Sequence, residues 1–221
     1  MRGLSSNAGW FKSRVVKRLQ SWFSTFIYSE RLQARGWRQF NRELLKECRQ
    51  LQEFDDEGRN WSKKNYPGGY TSYGSLDKIH HMSSTFMELG QRIQRHANRF
   101  ANALDWDLGG HELSLTDCWV NIMPFRTIHS LHLHPLSVIS GTYYVVTPRR
   151  CSGLKFEDPR LACFMAAPPR INDPRPPNQQ FVTYPAEAGK VILFESWLRH
   201  EVPASQVQSE RISISFNFNW A

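Results

Sequence analysis

The sequence predicts an α+β chain, with an all-β sandwich or barrel over residues 111–221 and a helical layer over residues 1–110. Three observations carry that division. After Gly110, short runs of strand-forming residues follow one another, separated by turn residues and with no helical period between them. Before Gly109, apolar residues recur three and four apart. In the last run, Ile214, Phe216, Phe218 and Trp220 alternate with Ser213, Ser215, Asn217 and Asn219, so one face is apolar and the other polar.

Residues 10–51 read as two helices, or one broken near Gly36. Residues 52–75 shift to charged, glycine and aromatic residues and read as a long loop. Thr85 and Glu88 form a T-x-x-E capping box. Leu89, Ile93, Ala97, Phe100, Ala101 and Leu104 then continue a helix that should end before Gly109, with Arg92, Arg95 and Arg99 outside and His96 as a surface or packing histidine. Strands are expected over 113–123, 128–133, 137–146, 154–156, 181–184, 190–194 and 212–220. Between them, residues 163–180 contain Pro168, Pro169, Pro174, Pro176 and Pro177, which a sheet interior does not admit. There is no internal repeat.

A chain of 221 residues suffices for one sizeable domain, or a core with a helical extension. Hydrophobic residues at 40% and aromatics at 13% exclude a disordered chain. The formal charge is +8, and residues 1–64 hold fourteen Lys/Arg against seven Asp/Glu, so nearly all the excess is N-terminal. A basic arm of this kind is a candidate contact for nucleic acid, an acidic protein or an anionic membrane; a solvated helical face is the plainer reading. Cys48, Cys118, Cys151 and Cys163 show no C-x-x-C spacing, which excludes a zinc ribbon or redox dithiol and suits a reducing cytoplasm. No apolar run approaches the roughly 18 residues of a membrane span. Lys12, Arg14, Lys17 and Arg18 interrupt residues 10–28, unlike a signal peptide. Trp10, Phe11, Val15, Leu19, Trp22, Phe23 and Phe26 fall at helical spacing beside those charges, a pattern that suits packing onto the protein better than an interfacial helix.

Five features of the β half converge on one kind of chemistry. In His129-Ser-Leu-His-Leu-His-Pro135, His132 and His134 lie two apart on a predicted strand and point to the same side. Two imidazoles on one face suit iron, zinc, copper or nickel. His200 ends the run Val191-Ile-Leu-Phe-Glu-Ser-Trp-Leu-Arg-His200 and supplies a third donor from a later strand, as a facial metal triad with open positions requires. Oxygen and a bidentate cosubstrate would take those positions. Arg211, with Ser213 on the same strand face, follows a turn-like segment. A buried guanidinium needs an anion, either a bound carboxylate or a salt-bridge partner such as Asp158 or Glu157. In Ser140-Gly-Thr-Tyr-Tyr-Val145, Thr142 and Tyr144 face away from Tyr143, and either tyrosine is placed to offer a phenol to that carboxylate. Gly153-Leu-Lys-Phe-Glu-Asp-Pro-Arg160 brings in Asp158, which competes with the three-histidine set as a metal ligand.

The order H-x-H-P, S-G-x-Y-Y, G-L-K-F-x-D-P-R, A-G-K-V-I-L-F-E-S-W-L-R-H-E-V and E-R-I-S-I-S-F-N resembles the 2-oxoglutarate/Fe(II) oxygenases of bacteria and phages, over roughly residues 119–217. More distantly it resembles prolyl hydroxylases. The resemblance implies a double-stranded β-helix, or jelly-roll, of cupin-like architecture. It implies a dioxygenase that consumes O2 and 2-oxoglutarate and releases succinate and CO2. It makes His132 and His200 iron ligands, Arg211 and Ser213 the clamp on the distal carboxylate, and Tyr144 a contact to the same cosubstrate. The chain departs from the family in reading His132-Leu-His134 where H-x-D or H-x-E is usual. Either His134 replaces the carboxylate, or Asp158 or a water completes the set. Two other classes stay open: a cupin-like three-histidine metalloenzyme without 2-oxoglutarate, and a non-catalytic β-sandwich binding module. Residues 66–74, rich in glycine and aromatics, are the expected lid.

Overall fold

The computed structural model describes residues 19–220. In chain order they form β1 (Ile27–Arg31), α1 (Trp37–Phe54), α2 (Asp56–Asn65), β2 (Tyr70–Thr71), α3 (Ser84–Ala103), β3 (Leu113–Met123), β4 (His129–His132), β5 (Ile139–Val146), β6 (Leu154–Glu157), β7 (Phe181–Tyr184), β8 (Lys190–Glu195), β9 (His200–Val202) and β10 (Arg211–Trp220). Six strands make one antiparallel sheet in the order β1-β8-β5-β10-β3-β2, and four make a second in the order β4-β9-β6-β7. Tyr144, Ile192 and Phe194 of the large sheet pack with Phe156 and Val202 of the small one, which makes the pair a sandwich. No helix among the described residues is long and apolar enough to cross a membrane.

The alternation read in β10 divides the two layers. Ile214, Phe216 and Phe218 turn outward and pack with Leu44, Cys48 and Leu51 of α1 and with Leu89, Ile93 and Phe100 of α3. Helical periodicity puts those residues on the sheet-facing stripe of each helix, so the helices exist by burying that stripe. Asn41 of α1 adds a polar lock: its Nδ2 donates to the Val145 carbonyl at 2.8 Å, and it accepts from the Tyr143 hydroxyl. Arg211, Ser213, Ser215 and Asn217 turn inward, toward the small sheet.

Several expectations are corrected. The part of 10–51 up to residue 18 lies outside the described residues, and 27–31 is a strand rather than helix, because the β8 edge gives it a full register from Ile27 opposite Phe194 to Arg31 opposite Lys190. Gly36, at φ +72°, starts α1. Inside the expected loop 52–75 lies α2, with Asp56 and Glu57 in its first turn and Lys63 and Lys64 in its last, an arrangement the helix dipole favours. Ser83, not Thr85, caps α3, accepting from the Phe86 N–H at 3.1 Å. His96 is 2% exposed and bonds the Leu32 carbonyl at 3.0 Å and the Tyr28 hydroxyl at 2.8 Å, so it is a packing histidine. Residues 66–74 are anchored rather than free, since Tyr70 and Thr71 pair with Ile122 and Asn121 of β3. His200 sits on the three-residue strand β9, a later strand than β4, as expected.

Asp55 ties this N-terminal half together. Its carboxylate caps α2 through the Gly58 N–H at 2.8 Å and accepts from the Tyr70 hydroxyl and Ser75 Oγ, both at 2.7 Å. Asp55→Ala removes a cap and strands two donors, a loss of about 3 kcal/mol. Urea unfolding should show the midpoint falling accordingly; a change within about 0.5 kcal/mol, the range of surface substitutions, would refute the role.

Candidate metal and carboxylate site

Strand pairing brings the first two histidines together. His132 lies opposite His200 where β4 meets β9, with ring centroids 4.3 Å apart. His134 lies just past the end of β4, its backbone N–H donating to the Ser196 carbonyl at 3.0 Å. Its ring is 5.1 Å from His132 and 5.2 Å from His200, nearly parallel to the latter at 8°. One ligand atom from each of the three rings lies within 4.8 Å of the others. The two-residue step has therefore put His132 and His134 on one side, as expected.

The hydrogen bonds prepare two of these rings to act as ligands. Nδ1 of His132 is 2.6 Å from the Ser130 carbonyl, and Nδ1 of His200 is 2.9 Å from the Leu198 carbonyl. A carbonyl only accepts, so each Nδ1 carries the proton and each Nε2 keeps its lone pair for a metal. Burial, reinforced by the other imidazoles, holds His200 down at about 3 and His134 at about 4, so both are neutral near pH 7, as metal ligation requires. Asp158 is engaged elsewhere, bridged to Arg160 through Nε at 2.9 Å and a terminal nitrogen at 2.7 Å.

Deeper in the same cavity lies Arg211, 3% exposed. Its guanidinium stands 4.9 Å over the Tyr144 ring and reaches the Met123 sulfur at 2.8 Å, while its Nε has no partner. Neither carboxylate considered as its salt-bridge partner is available, because Glu157 pairs with Arg199 and Asp158 with Arg160. Ser213 lies opposite Tyr144 across β10 and β5. The buried hydroxyls of Tyr144, Tyr66 and Thr142 and the Asn121 Oδ1 also lack partners. Such groups cost roughly 1–3 kcal/mol each when left unmet, so their concentration around one cavity marks a place built for a polar ligand. The cavity, of about 60 Å³, exceeds several-fold the roughly 15 Å³ that one water needs.

One residue of the site escaped sequence reasoning, and another came from the expected lid. His129 lines the cavity, and burial holds it down at about 3. The register slips between His129 and His132, and this bulge turns inward a side chain that strict alternation would not place there. Tyr66, the first residue of the segment expected as a lid, lies with its ring 4.5 Å from that of His129.

Residues 117–217 match the family described as "Putative 2OG-Fe(II) oxygenase". No curated protein matches the chain. Among solved structures, the non-heme alpha ketoglutarate dependent epimerase SnoN from nogalamycin biosynthesis is 14% identical at a TM-score of 0.61, over 88% of this chain and 77% of that one. A Pseudomonas putida prolyl-4-hydroxylase is 14% identical at 0.57, over 89% and 93%. HygX from Streptomyces hygroscopicus, with nickel and 2-oxoglutarate bound, is 11% identical at 0.57, over 88% and 83%. Likeness at these identities shows the fold, a double-stranded β-helix, and fold alone does not assign chemistry. The family match falls on the strands that gather the histidines and Arg211: over residues 117–217, just under half of its length, the chain is similar to that family of 2-oxoglutarate/iron(II) oxygenases.

Proposed function

We propose that His132, His134 and His200 hold the iron of this oxygenase, and that Arg211, with Ser213 and Tyr144, grips the distal carboxylate of 2-oxoglutarate. The observation that carries the reading is a buried guanidinium with no acidic partner among the described residues, in the same cavity as His132, His134 and His200. A buried cation left unpaired is strongly unfavourable, and a dicarboxylic acid whose other end binds the metal removes that cost.

Iron(II) and 2-oxoglutarate, when bound, supply an oxidation by O2 that yields succinate and CO2 and puts one oxygen atom on a C–H bond of the primary substrate. The chain's part is to orient and to exclude water. The Ser130 and Leu198 carbonyls fix the rotation of two imidazoles, the fork of Arg211 sets the direction of the keto acid, and the Ser213 hydroxyl adds a donor beside it. Leu154, Phe194 and Val202 wall the cavity with apolar surface. Residues 111–220 form the oxygenase core, and residues 27–110 supply a helical layer that also lends β1 and β2 to the large sheet. With all four cysteines unpaired, the protein suits a reducing cytoplasm.

Two outcomes test this. Anaerobic iron(II) at about 1,000 times its Kd should stabilise the protein by roughly 4 kcal/mol, read as a raised unfolding temperature that a chelator reverses. His200→Ala should lose that gain, and a variant that keeps it counts against the ligand set. Arg211→Ala should weaken 2-oxoglutarate binding by on the order of 100-fold in calorimetry, in line with truncating one side of a buried ion pair, while leaving the iron-dependent stabilisation in place. Unchanged cosubstrate affinity would remove Arg211 from the clamp.

A further inference from the structure

α1 carries a flank that the oxygenase reading leaves unused. Helical periodicity puts Arg38, Arg42, Lys46 and Arg49 on one side of it, at i, i+4, i+8 and i+11, and puts Glu43 and Glu47 on the other. The two acids are engaged there: Glu43 accepts from Gln39 Nε2 at 2.7 Å, and Glu47 accepts from Ser83 Oγ beside α3. Charge is thus sorted across the helix rather than mixed along it. The sorting works against the helix itself, because Arg38 with Arg42 and Arg42 with Lys46 are like-charge pairs one turn apart, and Arg38 stands at the positive end of the helix dipole. Folding alone does not favour such a stripe.

The contacts of α1 show where this flank points. Trp37 packs on Gly189, just before β8, where an added Cβ would lie 2.7 Å from its ring. Asn41 bonds the Val145 carbonyl near the end of β5, and Arg49 pairs with Glu210, just before β10. α1 therefore crosses β8, β5 and β10 in the order in which they lie in the sheet, all at one end of it. Arg31, which closes β1 opposite Lys190, and Arg38 both stand over the Trp37 ring, 4.9 and 4.6 Å from its centre. Past β5, the turn Thr147-Pro148-Arg149-Arg150 leaves from the same end, tied to it by the Ala188 N–H on Thr147 Oγ1 at 3.0 Å. Arg31, Arg38, Arg42, Lys46, Arg149 and Arg150 are all exposed, and none pairs with a carboxylate among the described residues. The acids that flank them are taken, Glu187 by Lys190 and Glu210 by Arg49.

We propose that this end of the molecule is a docking surface for the phosphate backbone of a nucleic acid. Five of the six side chains are arginines, whose planar fork matches a phosphate bidentately. Between Arg38 and Arg49 the flank bears no exposed large apolar side chain, so it lacks both the wedge by which an interfacial helix enters a membrane and the apolar centre of a protein interface. Attraction to phosphates needs neither. The surface shares no residue with the iron and carboxylate site, and its failure would leave that reading untouched.

Fluorescence anisotropy of a labelled DNA of about 20 nucleotides, single-stranded and as a duplex, tests it on the full chain between about 50 and 200 mM salt. Residues 1–18 hold basic side chains of their own, so the difference between chains decides. The triple variant Arg38→Gln, Arg42→Gln, Lys46→Gln should make the dependence of log affinity on log salt shallower by about 3, and weaken binding to unrelated sequences alike. The double variant Arg149→Gln, Arg150→Gln, which leaves the helix intact, should make it shallower by about 2. An unaltered chain that binds neither DNA at about 50 mM salt, the favourable end of that range, overturns the proposal. So does a variant that unfolds at the same temperature as the unaltered chain and keeps its salt dependence. Poly-glutamate or phosphatidylserine vesicles that compete with the DNA at equal charge overturn the nucleic-acid partner.

Discussion

Because successive side chains of a strand point to opposite faces, β10 holds the outer core together and furnishes the cavity at the same time. Ile214, Phe216 and Phe218 are fully buried against the helices, and Arg211, Ser213, Ser215 and Asn217 alternate with them toward the small sheet. A slip of one residue in its pairing would put phenylalanines into the cavity and a guanidinium under α1 and α3. The apolar face therefore fixes the register of the polar one. Neighbours on both sides, β3 and β5, hold that register over nearly the whole strand. The site is as rigid as the packing behind it.

That rigidity is what allows so many polar groups to stand unpaired. The Tyr144 hydroxyl, Thr142 Oγ1, Asn121 Oδ1 and Arg211 Nε are all buried without partners, and a softer wall would collapse to satisfy them. Here Tyr143, one residue from Tyr144, is locked outward by Asn41 of α1, and Tyr144 must then face inward. The helical layer thus reaches the cavity indirectly, through the alternation of β5. Preorganised donors cost nothing further when a ligand arrives, because their reorganisation was met in folding.

Where the local pattern and the tertiary outcome coincide, the sequence was legible. β3 and β7 match their expected spans, β10 differs by one residue, and His132, His134, His200 and Arg211 meet where alternation and order along the chain put them. The failures have physical causes. A strand at 27–31 has no alternation strong enough to announce it and forms because β8 has an edge to cover. His129 enters the cavity through a bulge, a departure from period two that no residue between 129 and 132 encodes alone. α2 lies in a segment in which its caps were present but were outweighed by glycine and charge. Among the described residues, the missing acid beside Arg211 is a fact of three dimensions: Glu157 and Asp158 are adjacent to each other in sequence, yet each turns to a different arginine.

Charge balance ties the unusual histidine to its surroundings. In the proposed site, a ligand set of imidazoles alone would leave the two positive charges of an iron(II) ion undiminished, and Arg211 would add a third, all within a cavity where burial disfavours stray charge. The two negative charges of 2-oxoglutarate would cancel two of them. A carboxylate in place of His134 would cancel the remaining one at the metal itself.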